Sequence, residues 1–239
     1  MTAEARLAVA LEYNPRFTEA WVNLGLVELR RGNFEAARRH LLRARDLNPD
    51  LPAPHHALGV LADKQERSDE AEEHYRDALA VDPGFPAARV NLGRKLFERG
   101  EYDRAREQFL RLAEVAHDML EAQTGLVESL LRLHRDDEAD LVLERARRAF
   151  GERPALVLLE ARALIRRGAH AQAEGRLVPL TRDDELALKA QAWAWISVAR
   201  IGQRNAEGAI AAAAEALRID DTQPVARYAL SMARAMRSR

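Results

Sequence analysis

The chain has 239 residues, a length that suits one elongated array or two small domains better than one compact core. Hydrophobic residues make up 47% and charged residues 31%, so the chain can bury enough apolar surface to fold. Lys and Arg number 37 and Asp and Glu 38, a balance that excludes a general attraction to nucleic acid or anionic membrane. Cysteine is absent, which excludes disulfides, thiolate nucleophiles and cysteine metal sites.

The chain begins with MTAEARLAVALEYNP, which predicts a helix over Thr2–Tyr13. This stretch lacks the order of basic start, apolar run and small-residue cleavage site that marks a signal peptide, so we expect a cytoplasmic protein for the sequence as written. No run of about eighteen apolar residues occurs, and we therefore expect no insertion into a membrane. If the sequence is a fragment of a longer protein, its localisation stays open.

A period of 34 residues follows. Leucine–glycine pairs, alanines and prolines preceded by Asn or Asp all keep it. These markers are Leu24-Gly25, Leu58-Gly59 and Leu92-Gly93, then Ala37, Ala71 and Ala105, and then Pro15, Pro49 and Pro83. Self-similarity at such a period is the signature of stacked units. A two-helix unit must stack because it cannot bury its apolar face alone.

Each unit predicts two helices, which in the first copy run from about Thr18 to Arg31 and from about Phe34 to Leu47. Gly32 separates them and suits a position past a helix end that needs a positive φ. Gly25 lies on the face of the first helix that should meet the second. Because it lacks a Cβ, the two backbones can approach closely, and Ala37 allows the same from the other side.

This pattern resembles the tetratricopeptide repeat family, whose units carry Trp, Leu-Gly, an aromatic residue, Ala, a second aromatic residue, Ala and Pro in that order. The first copy meets it with Trp21, Leu24, Gly25, Phe34, Ala37, Leu41, Ala44 and Pro49. The resemblance is close in three copies and weakens afterwards. It implies an all-α fold, namely a right-handed superhelical solenoid of antiparallel helix pairs.

The repeat pattern divides the chain into five segments. They are 1–17 (a half repeat with a second helix only), 18–119 (three regular units), 120–187 (two degenerate units), 188–223 (a sixth unit, with its first helix from about Ala190) and 224–239 (a capping helix). Pro179 should cut the fifth unit's second helix short, and the next step is 36 residues, so we predict a break in stacking near Val178–Glu185. Either the half units are genuine ends, or the chain was cut from a longer array.

The sequence predicts no enzyme, no cofactor and no metal site. It has no nucleophile paired with a base and no glycine-rich phosphate loop. His55 and His56 point about 100° apart on a helix and cannot chelate one ion well. Trp21 and Trp193 fall on core positions, whereas Trp195 suits either packing or the stacking of a ligand. The closing prolines and the balanced charge argue against the look-alike helical repeats that read RNA.

Members of this family are known for a concave groove that first helices line and that accepts a peptide or a partner helix. Counted from the core positions, the groove residues here are Val22, Leu26, Leu29, His56, Val60, Lys64, Val90, Arg94, Phe97, Arg132, Arg162 and Arg166. The apolar members would otherwise face water, and an exposed apolar cluster often marks a partner site. The alternative is that they pack against the preceding repeat. The polar set of chaperone-tail adaptors is matched only at Asn91, which argues against that function.

These features favour a non-catalytic scaffold or adaptor that binds a protein or peptide client. The abundance of Ala and Arg is typical of bacterial proteins, and bacterial relatives often serve pilus, secretion, motility or polarity complexes, an association at the level of the family alone. One alternative is a self-assembling protein that forms a homo-oligomer through its end helices. Another is the repeat region of a larger multidomain protein.

Overall fold

The computed structural model describes residues 2–237. Within that range the chain forms fourteen α-helices, one 3-10 segment and no β-strand, which confirms the predicted all-α fold. The helices are α1 (Ala3–Tyr13), α2 (Thr18–Arg30), α3 (Phe34–Leu47), α4 (Pro52–Lys64), α5 (Ser68–Val81), α6 (Pro86–Glu98), α7 (Tyr102–Val115), α8 (Leu120–Arg132), α9 (Asp136–Phe150), α10 (Pro154–Arg166), α11 (His170–Leu177), α12 (Leu186–Gly202), α13 (Ala206–Ile219) and α14 (Pro224–Arg237).

The helices keep the period of the sequence. The first helices α2, α4, α6, α8 and α10 each begin 34 residues after the previous one, and so do the second helices α3, α5, α7, α9 and α11. Proline occupies the first turn of α4, α6 and α10, where its missing N–H costs no helical hydrogen bond. The bounds of the first predicted helix pair are confirmed to within one residue.

The turn inside each helix pair has one conformation throughout the repeats. One residue there has a positive φ: Gly32, Glu66, Gly100, His134, Gly168 and Arg204. The following N–H then donates back to a carbonyl five residues earlier, as from Asn33 to Glu28 at 2.9 Å, which is the Schellman pattern of a helix end. The prediction for Gly32 is confirmed, and the same backbone is imposed on Glu66, His134 and Arg204, which are not glycines.

Close contact between the helices of a pair explains the recurring glycine. A Cβ built on Gly25 would lie 2.5 Å from Cδ2 of Leu41, and one on Gly59 would lie 2.5 Å from Cε1 of Tyr75. Neither distance leaves room for a methyl group. The predicted role of Gly25, which is to let α2 and α3 approach, is therefore confirmed.

The chain divides into two compact units, Met1–Gly125 and Leu126–Arg239, which we call unit 1 and unit 2. In unit 1 an apolar cluster joins α2, α3 and α4 around Leu41 and Leu58. In unit 2 another joins α10, α11, α12 and α13 around Leu177 and Ile196. The grouping of the repeats into regular and degenerate segments stays a prediction.

The predicted shortening of the second helix in the fifth repeat is confirmed, whereas the apolar cluster of α10, α11, α12 and α13 continues past this segment without a break in stacking. α11 has only 8 residues, and the 3-10 segment Val178–Arg182, with its proline, takes the place of a longer helix. The following helix begins at Leu186, four residues before the position predicted from Ala190. Asp183 accepts a hydrogen bond from the N–H of Glu185 at 2.9 Å, which sets the turn that starts α12 earlier.

No helix within residues 2–237 has both the length and the apolar character needed to cross a lipid bilayer.

Candidate functional site

The first helices of unit 1 lie side by side. Apolar contacts join α2 to α4, and side-chain hydrogen bonds and an ion pair join α4 to α6. One side of these three helices retains solvent exposure at alternating apolar and charged positions. We call it the first-helix face of unit 1, and its exposed or half-buried members are Glu19, Leu26, Arg30, His56, Val60, Asp63, Lys64, Val90, Arg94, Lys95, Phe97 and Glu98.

A chain of hydrogen bonds holds the middle of this face. Arg94 Nη2 donates to Oδ1 of Asn91 at 2.6 Å, and Nδ2 of Asn91 lies 3.0 Å from Nε2 of His56. Arginine has donors only, so it fixes which end of the Asn91 amide points at Arg94. The amide NH2 therefore donates to His56, whose Nε2 must accept, and this requires the neutral imidazole with its proton on Nδ1.

The surroundings of His56 agree with a neutral ring. Tyr75 and Phe85 lie against it, with ring centroids 5.8 and 5.6 Å away. Loss of water around the ring disfavours the imidazolium and lowers the pKa of His56 to about 4. At neutral pH this side chain is therefore an uncharged acceptor held between two aromatic rings and an amide.

A second polar group lies next to the first. The buried phenol of Tyr75 donates to Oδ2 of Asp63 at 2.6 Å, and burial together with this carboxylate raises the pKa of Tyr75. Lys95 Nζ lies 2.8 Å from Oδ1 of Asp63 and 3.0 Å from Oε2 of Glu98. The carboxylates of α4 and α6 on this face thus share one lysine, which compensates one of their two negative charges, and these contacts tie α4, α5 and α6 together.

Two predicted groove residues are not on the open face. Val22 is 7% exposed and Leu29 is 9% exposed, and both belong to the apolar cluster shared by α2, α3 and α4. The prediction that they would face water is therefore wrong. α2 packs against α3 and α4 at once, so its buried surface is wider than contact with one neighbour requires.

The other predicted apolar residues keep part of their surface in water. Leu26 and Val60 pack at the border of the same cluster and are half-buried, as are Val90 and Phe97. Phe97 also meets Tyr102 edge to face, with centroids 5.1 Å apart. All four side chains are half-buried and therefore leave part of their apolar surface in contact with water.

In unit 2 the predicted arginines are engaged within the chain. Arg162 Nη1 donates to Glu128 at 2.9 Å, and its guanidinium carbon lies 5.3 Å from the ring centre of Trp195. Arg166 forms a two-point contact with the carboxylate of Asp136, at 2.7 and 3.1 Å. That contact lowers the pKa of Asp136. Arg132 is exposed at the end of α8 and has contacts of its own.

The adjacent histidines have separate environments. Nε2 of His55 lies 3.1 Å from the carbonyl oxygen of Pro49, while His56 faces Asn91. Among residues 2–237, no group of three His, Asp or Glu side chains is arranged to hold a metal ion.

Sequence reasoning missed the polar partners that organise the face. Asn91, Lys95 and Tyr75 were not among the predicted site residues. Asn91 contacts the predicted residue His56, and Lys95 and Tyr75 both contact Asp63, which precedes the predicted residue Lys64. The signal for Asn91 and Lys95 was weak because their contacts run between repeats, from α6 to α4, whereas Tyr75 contacts Asp63 within one repeat.

Comparison with known proteins agrees with this architecture. Two family profiles, both described as tetratricopeptide repeat, match residues 17–83 and 64–126. No curated protein sequence matches the chain.

Solved structures share the fold over most of the chain. A tetratricopeptide repeat protein from Parabacteroides merdae is 17% identical with a TM-score of 0.70, over 97% of this chain and 91% of the other. PilF of Pseudomonas aeruginosa is 21% identical with a TM-score of 0.68, over 88% and 95%. PilW, a type IV pilus biogenesis factor, is 16% identical with a TM-score of 0.74, over 89% and 98%. Residues 17–126 are therefore tetratricopeptide repeats, and the chain as a whole shares the fold of tetratricopeptide repeat proteins.

Proposed function

We propose that the chain is a non-catalytic scaffold that binds a segment of another protein on the first-helix face of unit 1. The observation that carries the proposal is the set of four half-buried apolar side chains, Leu26, Val60, Val90 and Phe97, with Lys64 and Arg94 exposed beside them. Proteins of this repeat family and fold generally act as interaction scaffolds, which supports the proposal at the level of the class.

The physical basis is apolar burial on a surface that is already in place. Covering the exposed remainder of each apolar side chain contributes on the order of 1 kcal/mol to binding. The hydrogen bonds among Arg94, Asn91 and His56 and the ion pair of Lys95 with Asp63 fix the helices on either side. Binding therefore costs less conformational entropy than it would on a surface that had to become ordered first.

At a finer level, we propose that the partner belongs to a bacterial assembly complex. PilF and PilW, which share the fold, carry names connected with pili. Identities of 16 to 21% show a shared fold and do not identify a shared partner. The proposal therefore covers pilus, secretion, motility and polarity complexes alike.

An affinity capture tests the location of the surface. The baits are the chain, the Val60→Glu, Phe97→Glu variant and a control, Leu110→Glu, whose side chain is exposed on the second helix α7 of the same unit. Circular dichroism first establishes that all three are equally helical. We expect one partner that the chain and the control retain and the double variant loses. Equal capture by all three baits would contradict the assignment to this face.

A second candidate function is self-association through α14. Tyr228 is 64% exposed and Met232 is 45% exposed, and their spacing of four residues places them on one side of this helix. Light scattering over a concentration series tests it, with Tyr228→Ser, Met232→Ser as the comparison. A mass that rises with concentration and returns to that of a monomer in the variant would favour this candidate over the first.

A further inference from the structure

The charged residues of the first-helix face of unit 1 are not balanced. Arg30 at the end of α2, Lys64 at the end of α4 and Arg94 on α6 are all exposed. None of the three has a carboxylate partner within residues 2–237, and Arg94 donates only to the amide of Asn91. Elsewhere in unit 1, Arg99 is paired with Glu72.

The acidic residues of this face offset only part of this positive charge. Asp63 and Glu98 are both within 3.0 Å of Lys95, and these three residues together keep one negative charge. Glu19 is exposed in the first turn of α2, eleven residues before Arg30 and hence roughly 16 Å away along the helix axis. The central and C-terminal part of the face therefore has four cations, counting Lys95, and two carboxylates, so it keeps an excess of two positive charges.

The corresponding face of unit 2 provides a comparison within the same chain. There Arg162 pairs with Glu128 at 2.9 Å, and Arg166 pairs with Asp136 at 2.7 Å. A repeat protein can thus neutralise arginines at these positions from its own acidic residues, and unit 1 does not. Surface cations without carboxylate partners, next to apolar side chains, are complementary in charge to an acidic partner.

The three cations form a row of defined length. Arg30 and Lys64 are 34 residues apart and hold equivalent positions on adjacent first helices, which are roughly 10 Å apart. On α6 the equivalent position is Glu98, and the cation is Arg94, one turn earlier and so about 6 Å along the axis. The row is on the order of 20 Å long, which about six residues of extended peptide span.

From this we infer that the occupant of the face is an extended acidic segment of a partner protein, with carboxylates about three residues apart and apolar side chains between them. The carboxylates pair with Arg30, Lys64 and Arg94, and the apolar side chains cover Val60, Val90 and Phe97. The inference rests on the proposed function and adds to it the chemistry of the partner. A nucleic acid is also anionic, but it would leave the apolar residues uncovered, and the chain's net charge is −1.

A randomised library of twelve-residue peptides tests the inference. It is selected separately on the chain, on a variant with Arg30→Gln, Lys64→Gln and Arg94→Gln, and on a control with Arg16→Gln, Arg39→Gln and Arg43→Gln. The control removes the same charge from exposed positions outside the face. A further variant, Arg30→Glu with Lys64→Glu, leaves the hydrogen bond from Arg94 to Asn91 in place. Thermal melts establish that the variants fold.

We expect peptides selected on the chain and on the control to be enriched in Asp and Glu together with apolar residues. The triple variant should select apolar peptides without acidic enrichment, and it should bind the best acidic peptide about tenfold more weakly by fluorescence anisotropy. The charge-reversal variant should weaken it further. Added salt should weaken binding to the chain more than to the triple variant.

The outcomes separate this inference from the proposed function. Peptides that depend on Val60 and Phe97 but show no acidic enrichment would overturn the inference and leave the proposed function intact. Selected peptides that bind the Val60→Glu, Phe97→Glu variant undiminished, or the absence of any selected peptide, would overturn both. Tight binding of a twenty-nucleotide oligothymidylate that is lost in the triple variant would overturn the inference and show that the face binds a nucleic acid.

Discussion

The indole N–H of Trp21 donates a hydrogen bond to the carbonyl oxygen of Pro15 at 2.9 Å. In three later repeats, a histidine or an arginine takes the place of Trp21 and makes the equivalent contact. The contacts are His55 with Pro49 at 3.1 Å, Arg89 with Pro83, and Arg227 with Asp221 at 2.9 Å. The loop between repeats is therefore closed by the following first helix. What is kept is a side-chain N–H at one position, while the residue type varies.

This contact predicts a cost for removing the donor alone. Trp21→Phe retains an aromatic ring next to His40, with which Trp21 stacks at 5.4 Å, but leaves the Pro15 carbonyl without its donor. We expect a loss of about 1 kcal/mol in the free energy of unfolding, measured by urea denaturation. Trp195→Phe is the control, because the indole N–H of Trp195 makes no hydrogen bond within residues 2–237. Equal losses in both variants would contradict this role.

Glycines at two helical positions should respond to alanine with opposite signs. A Cβ on Gly59 would lie 2.5 Å from the fully buried ring of Tyr75, so Gly59→Ala forces the helices apart and should cost about 1–3 kcal/mol. Gly175 lies inside α11 with nothing within 4 Å of its Cβ position, so Gly175→Ala should stabilise by about 0.5–1 kcal/mol. Thermal denaturation of the two variants provides the comparison, and a shift of the same sign in both would rule out the steric explanation.

The turn at Glu66 predicts a stabilising substitution. Its φ of 60° is one that residues with a Cβ rarely adopt, whereas Gly32 holds the equivalent place at 79°. Glu66→Gly should raise the free energy of unfolding by a few tenths to about 1 kcal/mol, because relief of the left-handed strain exceeds the entropy that glycine loses. Gly32→Ala introduces the opposite change where nothing lies within 4 Å, and should destabilise by about 1 kcal/mol. Unfolding in urea that is unchanged for both would show that the turn is not strained.

His56 predicts a dependence of stability on pH. The unfolded chain binds a proton at this residue near its ordinary pKa of 6.5, whereas the folded chain binds it only near pH 4. Between these values the unfolded state holds more protons, so stability falls as the pH is lowered from about 6.5 to 4, by up to about 3 kcal/mol. Above pH 6.5 the contribution is constant.

The measurement is the difference in unfolding free energy between the chain and a His56→Gln variant, taken at several pH values. Gln retains a hydrogen-bond acceptor for Asn91 but does not titrate in this range. Burial also lowers the pKa of His40, which contributes a slope common to both proteins and cancels in the difference. A difference that does not vary between pH 7 and 4 would contradict the neutral buried state of His56.

The sequence predicted the helix pairs well because their markers are local. The glycine past the end of α2, the proline of the loop and the Leu-Gly pair each act within one unit, and α2 and α3 begin where the pattern predicts. The early end of α11 before Val178 was predictable for the same reason, because Pro179 acts on the helix in which it lies.

The surface was harder to predict because it depends on contacts between units. Val22 and Leu29 were assigned to the open face by counting along one helix, yet both are buried in the apolar cluster that α2 shares with α3 and α4. Asn91 has no special place in the repeat pattern and becomes part of the face only because His56 lies opposite it on the neighbouring helix. The charge balance of the face likewise becomes visible only when two carboxylates from different helices are seen to share Lys95.

The most direct test of the account is the affinity of the captured partner for the face itself. Its dissociation constant is measured by titration calorimetry against the chain, the Val60→Glu, Phe97→Glu variant and the Leu110→Glu control. We predict that the control binds as the chain does and that the double variant binds at least tenfold more weakly. A double variant that binds with unchanged affinity while remaining folded would contradict a partner site on the first-helix face of unit 1.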